Sequence, residues 1–167
     1  KELIITAGGK NIAPMPIEEL LTTSKYIAQA CVLGDQRKFL CALLALNQEN
    51  VMAYLQQHGV RLAGLDDLRK DEHIRHLIEA EVLEKNLELA SFEAIKKIMI
   101  VPEFTIEDGS LTPTLKIKKN VVAERYRKEI EALYAESTVR EDLQHDQSRP
   151  KAALPASRQL AGVIVPL

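Results

Sequence analysis

Tryptophan is absent from this chain, and aromatic residues together make up only 4% of it. Stacking of bases on aromatic platforms is therefore not expected to be its work. The net charge of −2 provides no general attraction to nucleic acid or to an anionic membrane. No apolar run approaches the roughly 18 residues of a membrane-spanning helix, and no signal peptide is visible. Cysteine is scarce: Cys31 and Cys41 are the only two. Both lie in apolar stretches, so buried free thiols in a cytoplasmic protein are expected. The phosphate-loop spacing G-x-x-x-x-G-K-[ST] is missing as well, since Gly8-Gly9-Lys10 lacks the earlier glycine and is followed by Asn11. His73 and His76, near Glu72 and Glu79, share a helical face without the H-E-x-x-H pattern, and no metal site is expected. No Ser/His/Asp order or activated cysteine stands out.

What is present is ordinary for a folded domain: 167 residues, 46% hydrophobic and 28% charged. Residues 2–6 form a short apolar strand candidate, and Ala7-Gly8-Gly9-Lys10 supplies a turn whose glycines permit positive φ and close approach to the backbone. Pro16 suits the first turn of a helix ending near Ser24. Residues 27–33 and 39–46 read as an antiparallel hairpin, with 34–38 as its turn. Its strands alternate poorly, so helices should cover both faces. Asn47 can cap a helix over 48–57 that closes at His58-Gly59. The longest helical pattern runs over 71–90, and the β-branched run 95–101 is a third strand stopped by Pro102. A last amphipathic helix carries Val122, Tyr126, Ile130 and Leu133 on one stripe. The expectation is an α+β domain over 1–135, a small and mainly antiparallel sheet packed by helices. An irregular C-terminal tail over 136–167, of unknown role, should follow.

The strongest local signal is Leu111-Thr112-Pro113-Thr114-Leu115-Lys116-Ile117-Lys118-Lys119, which presents Lys116 on a loop just ahead of a helix. Lys116, Lys118, Lys119, Arg125, Arg127 and Lys128 form the main concentration of positive charge. A solvated basic face and a phosphate-binding surface both fit that cluster.

Together, this segment and the opening Lys1-Glu2-Leu3-Ile4, Gly8-Gly9, Ala13-Pro14 and Ile17-Glu18 resemble the C-terminal domain of adenylate-forming enzymes. Ile4-Ile5-Thr6-Ala7-Gly8-Gly9-x-Asn11-Ile12, Gly34-Asp35-Gln36-Arg37-Lys38-Phe39 and Leu115 are similar to the long-chain fatty acyl-CoA synthetases. Peptide-synthetase domains and luciferases usually have glycine where this chain has Leu115. The resemblance covers about residues 1–135. In the family the last motif often ends in arginine, where this chain has Lys119.

The resemblance implies a lid that serves two half-reactions. A fatty acid would first react with ATP, accompanied by Mg2+, to give an acyl-adenylate, and CoA would then take the acyl group. Lys116 would be the catalytic lysine of adenylation. Lys1 would be the hinge, and Gly8, Gly9 and Lys10 would line the path of the CoA pantetheine after rotation. Arg37, Lys118 and Lys119 are candidate phosphate contacts. The partner would be the chain's own N-terminal adenylation domain, which would bind ATP and Mg2+ and which is expected to precede Lys1 in a longer, cytoplasmic enzyme. Peripheral association of that enzyme with a membrane stays open. So do two alternatives, an adenylating enzyme that delivers to a carrier protein and a non-enzymatic, anion-binding interaction module.

Overall fold

A computed structural model describes residues 2–61 and 65–144. The hinge candidate Lys1 and the tail 145–167 lie outside the described residues. The chain opens with a two-stranded antiparallel hairpin, β1 (Ile4–Ile5) and β2 (Asn11–Ile12), followed by α1 (Pro14–Leu21). The helix starts two residues before Pro16, because Pro14 and Pro16 both fit a first turn whose N–H groups need no partner.

Next come β3 (Ile27–Leu33) and β4 (Leu40–Leu46), the expected antiparallel hairpin. An irregularity between Ile27 and Gln29 shifts the alternation of β3, so Ile27 joins Ala30 and Val32 in one core. A uniform alternation, by contrast, puts Ile27 on the face of Cys31. The Asn47 side chain caps α2 (Gln48–Gln57) by accepting from Asn50 N–H at 3.1 Å. A short helix, α3 (Leu65–Lys70), has no counterpart in the sequence-based expectation. Asp71 caps α4 (Glu72–Asn86), its Oδ1 accepting from the N–H groups of His73 and Ile74.

Strand β5 (Ile95–Val101) then adds beside β4 in parallel, giving the order β3-β4-β5. Parallel pairing needs a crossover, and α2, α3 and α4 provide it. Asn86 closes the start of β5 by exchanging hydrogen bonds with both backbone groups of Ile95.

The sheet has apolar residues on both faces. Ala42 and Leu44 of β4 face α1, α2 and α4 in one core, together with Ile17, Leu21, Val51, Ile74 and Ile78. Cys41 and Leu43 face the second core, which holds Phe104, Leu111, Val122, Ile130 and Leu133. Burial pushes the Cys31 thiol up to about 12 and the Cys41 thiol up to about 11, so both stay protonated and packed.

The expected last helix is two: α5 (Lys119–Arg125) and α6 (Arg127–Gln144), kinked where Tyr126 takes φ −103° and ψ 20°. The kink keeps Val122, Tyr126, Ile130 and Leu133 on the second core, so the predicted stripe holds while the helix axis bends. Helix α6 continues past position 135 to Gln144, where the sequence suggests irregular chain. Among the described residues, no helix is long and apolar enough to cross a membrane.

Candidate functional site

Lys116 stands near the tip of a small β-like loop. Leu111 and Ile117 pair as an antiparallel bridge, and both contribute to the second core. Above the bridge, Thr112 N–H donates to Lys116 O at 2.8 Å and Leu115 N–H donates to Thr112 O at 2.8 Å. Lys116 N–H returns to Thr112 Oγ1 at 3.0 Å. This closed turn requires φ +67° at Leu115, a left-handed conformation that suits glycine and costs a leucine about 1–2 kcal/mol. Glycine is the residue that this geometry would suit best. Below the bridge, Lys118 N–H donates to Ser110 O at 2.8 Å, and Lys118 precedes the first turn of α5.

The base of the hairpin is fixed by a polar knot. Ser110 is fully buried, and its Oγ accepts from Thr105 N–H at 3.0 Å while its hydroxyl donates to Asp108 Oδ1. Asp108 also accepts from Ser110 N–H at 2.8 Å. Arg125 of α5 clasps the same residue, donating to Asp108 O at 2.6 Å and pairing with Oδ2 at 3.2 Å. The Ser110 hydroxyl, with help from Arg125, holds the Asp108 carboxyl below the usual range. One strand pair away, Gln29 exchanges two hydrogen bonds with the Phe104 backbone, at 2.8 and 3.0 Å. Gln29, Asp108 and Ser110 escape sequence reasoning, because an isolated polar residue in a strand or a loop gives no periodic signal, and Arg125 reads there only as one charge of the basic cluster. Lys116 and Lys118 are exposed and form no ion pair with any described residue.

The glycine turn is a second, separate projection. Thr6 N–H donates to Lys10 O, Gly9 N–H to Thr6 O, and Lys10 N–H to Thr6 Oγ1. Gly9 takes φ +82°, whereas a side chain at Gly8 would meet nothing closer than Thr6 Oγ1 at 4.0 Å. The outer edge of β1 is bound to the β3–β4 turn: Ala7 N–H donates to Arg37 O at 2.9 Å, and Gln36 N–H donates to Ile5 O at 2.8 Å. The Lys10 ammonium lies 5.1 Å from the centre of the Phe92 ring.

The two remaining basic candidates face a groove of about 560 Å³ between the β3–β4 turn and helices α5 and α6. Both are already engaged. Arg37 forms a two-pronged pair with Glu131 and stacks 4.6 Å from the centre of the Tyr134 ring. Lys119, only 15% exposed, places Nζ 2.8 Å from Glu18 Oε2 and 3.2 Å from Glu2 Oε1. Glu18 Oε2 also accepts from Val32 N–H at 2.8 Å, closing a position on the open edge of β3. Of the three expected phosphate contacts, only Lys118 has its charge free of carboxylates among the described residues.

Comparison with known proteins gives a consistent picture. Residues 1–138 match a family described as the AMP-binding enzyme C-terminal domain. The chain is 40% identical over 136 residues to the long-chain-fatty-acid–CoA ligase FadD15 of Mycobacterium tuberculosis, a match covering 80% of this chain and 23% of that protein. It is 35% identical over 155 residues to the long-chain-fatty-acid–CoA ligase ACSBG1 of Homo sapiens, covering 81% and 21% respectively. Among solved structures, the A-PCP didomain of a carboxylic acid reductase from Segniliparus rugosus, in complex with AMP, superposes with a TM-score of 0.66 at 25% identity. That likeness covers 90% of this chain and 20% of the other. The chain thus spans about a fifth of the length of the curated relatives it matches.

Proposed function

Starting from the premise that the chain belongs to the AMP-binding enzyme C-terminal domain family, we propose that it is the catalytic lid of a long-chain fatty acid–CoA ligase. The full reaction joins a fatty acid to CoA at the expense of ATP, releasing AMP and pyrophosphate. A carboxylate oxygen attacks the α-phosphorus and pyrophosphate leaves. The CoA sulfur then attacks the acyl carbon of the adenylate, and AMP leaves. ATP, its Mg2+ and the acyl chain are held by the N-terminal adenylation domain.

The observation that carries this reading is Lys116 itself, an exposed ammonium without a described counter-ion, on a turn whose base is fixed by Ser110, Asp108 and Arg125. Two anions must meet in adenylation, and a positioned cation lowers the cost most as they approach. A rigid base keeps that cation in place without reorganisation. The Gly8-Gly9 turn serves the second step, after the lid rotates about Lys1 and offers a narrow backbone edge to the pantetheine arm. Lys10 stands beside that path, and Lys118 is the best placed of the basic candidates to meet a phosphate. Lys119 and Arg37 act mainly to hold the lid together.

Replacing Lys116 by alanine in the full-length enzyme tests the reading. Fatty-acid-dependent ATP–pyrophosphate exchange should fall by roughly 10²–10³-fold, the scale of losing one transition-state contact. Transfer to CoA from supplied acyl-adenylate should survive. Equal loss in both steps would count against a lysine specific to adenylation.

The likeness to a carboxylic acid reductase supports a second reading, in which the acyl group passes to a carrier domain. Higher identity to the CoA ligases favours free CoA, and thioester formation with CoA alone separates the two. The unpaired, buried thiols fit a reducing compartment such as the cytoplasm.

A further inference from the structure

Leu115 is unfavourable twice over within this domain. Its backbone stands at φ +67°, and its side chain is 67% exposed. The turn needs neither property from a leucine. Its hydrogen bonds, Leu115 N–H to Thr112 O and Thr112 N–H to Lys116 O, are made by backbone atoms alone. Glycine would satisfy the same turn without strain and without placing an isobutyl group in water. Exposure alone would be unremarkable, but backbone strain held in place to present an apolar side chain points to a contact outside this domain.

Its position narrows what that contact is. Consecutive α-carbons are about 3.8 Å apart, so wherever the lid carries Lys116, Leu115 travels with it. We propose that Leu115 seats against the first methylenes of the acyl substrate during adenylation and seals the reacting carboxyl group from water. This inference rests on the reading of Lys116 as the adenylation lysine.

The chemistry gives such a seal a purpose. An acyl-adenylate is a mixed anhydride, and water attacking its acyl carbon breaks the acyl–phosphate bond, giving fatty acid and AMP with no thioester. Excluding water also lowers the local dielectric, so the Lys116 charge acts more strongly on the converging anions. A leucine offers only methyl and methylene surface. It therefore fits an acid whose α-carbon is unsubstituted, and it disfavours an acid with a hydroxyl there, which would lose its hydration without a partner.

The test uses the full-length enzyme carrying Leu115→Gly, Leu115→Met or Lys116→Ala. In Leu115→Gly, AMP released without CoA should rise roughly tenfold relative to pyrophosphate exchange as water gains access. Discrimination against a 2-hydroxy fatty acid should weaken in parallel. Leu115→Met should restore both, and the melting temperature of the glycine variant should stay within about 2 °C of the parent, because strain relief offsets the flexibility of glycine. Unchanged AMP release and discrimination in Leu115→Gly, with exchange abolished in Lys116→Ala, would overturn the seal and leave the lid intact. Unimpaired exchange in Lys116→Ala would remove the premise. A large drop in melting temperature in Leu115→Gly would make the leucine structural and overturn the seal as well.

Discussion

Glu18→Ala should be among the most destabilising single changes on the surface of this domain. The carboxylate of Glu18 has two dependants: the N–H of fully buried Val32 at 2.8 Å and the ammonium of Lys119 at 2.8 Å. A hydrogen bond to a charged acceptor contributes about 1.5–3 kcal/mol, and an orphaned buried N–H loses its hydration as well. Lys119 would retain Glu2 at 3.2 Å, so the lost half of its ion pair adds only about 1 kcal/mol. The sum is about 3 kcal/mol, or roughly 6–12 °C in melting temperature for a chain of this size. Urea unfolding of the chain, followed by circular dichroism, reads the difference. Glu18→Gln keeps an acceptor for Val32 and should lose only about 1 kcal/mol, and Lys119→Met should lose a similar amount. A double-mutant cycle between positions 18 and 119 should give a coupling of about 1 kcal/mol. If Glu18→Ala were no worse than Glu18→Gln, the bond to the edge of β3 would be worth little and the reasoning would fail.

Gly8→Leu should fold normally, because the space around Gly8 is open and its φ is unremarkable, yet CoA thioester formation in the full-length enzyme should slow while pyrophosphate exchange persists. Gly9 is the poorer probe, since at φ +82° any side chain brings backbone strain of its own. The folded Asp108 pKa lies below the ordinary value of 3.8, chiefly through the Ser110 hydroxyl. Its stabilising contribution is therefore complete above that value and is lost as pH falls through the lower folded pKa. An NMR titration should show the amides of Thr105 and Ser110 shifting together below about pH 4, and Asp108→Asn should abolish the shift. A flat wild-type profile would count against the knot.

The sequence disclosed elements where a single residue carried the signal. Asn47 and Gly59 bracketed α2, Pro102 ended β5, and the motif around Lys116 pointed to the family that the match over residues 1–138 shows. It did not disclose the direction of β5. A β-branched run looks the same whether its neighbour is parallel or antiparallel, and only the three-dimensional course of the crossover decides. It did not disclose the kink at Tyr126 either, because the apolar stripe stays in phase across the break. For the site, the lysines were legible as charges and their employment was not. Lys118 and Lys119 are adjacent in sequence, but Lys119 is turned inward to Glu18 and Glu2. Leu115 read as a subgroup marker, and its positive φ gives that marker a physical cost.

The parallel placement of β5 bears on the order in which the domain assembles. The β3–β4 hairpin closes through a short turn and can form early, whereas β5 must wait for residues 47–94 to be brought round as three helices. Long-range closures of this kind are slow, because the chain gives up its freedom before the contacts that reward it exist. The lysine hairpin follows β5 after residues 102–110 and rests on the second core, to which β5 contributes Met99 and Val101 and the later helices α5 and α6 contribute Val122, Ile130 and Leu133. During synthesis, therefore, the hairpin carrying Lys116 is among the last parts to find its place, and a nascent domain with its first core already packed would still lack a positioned lysine.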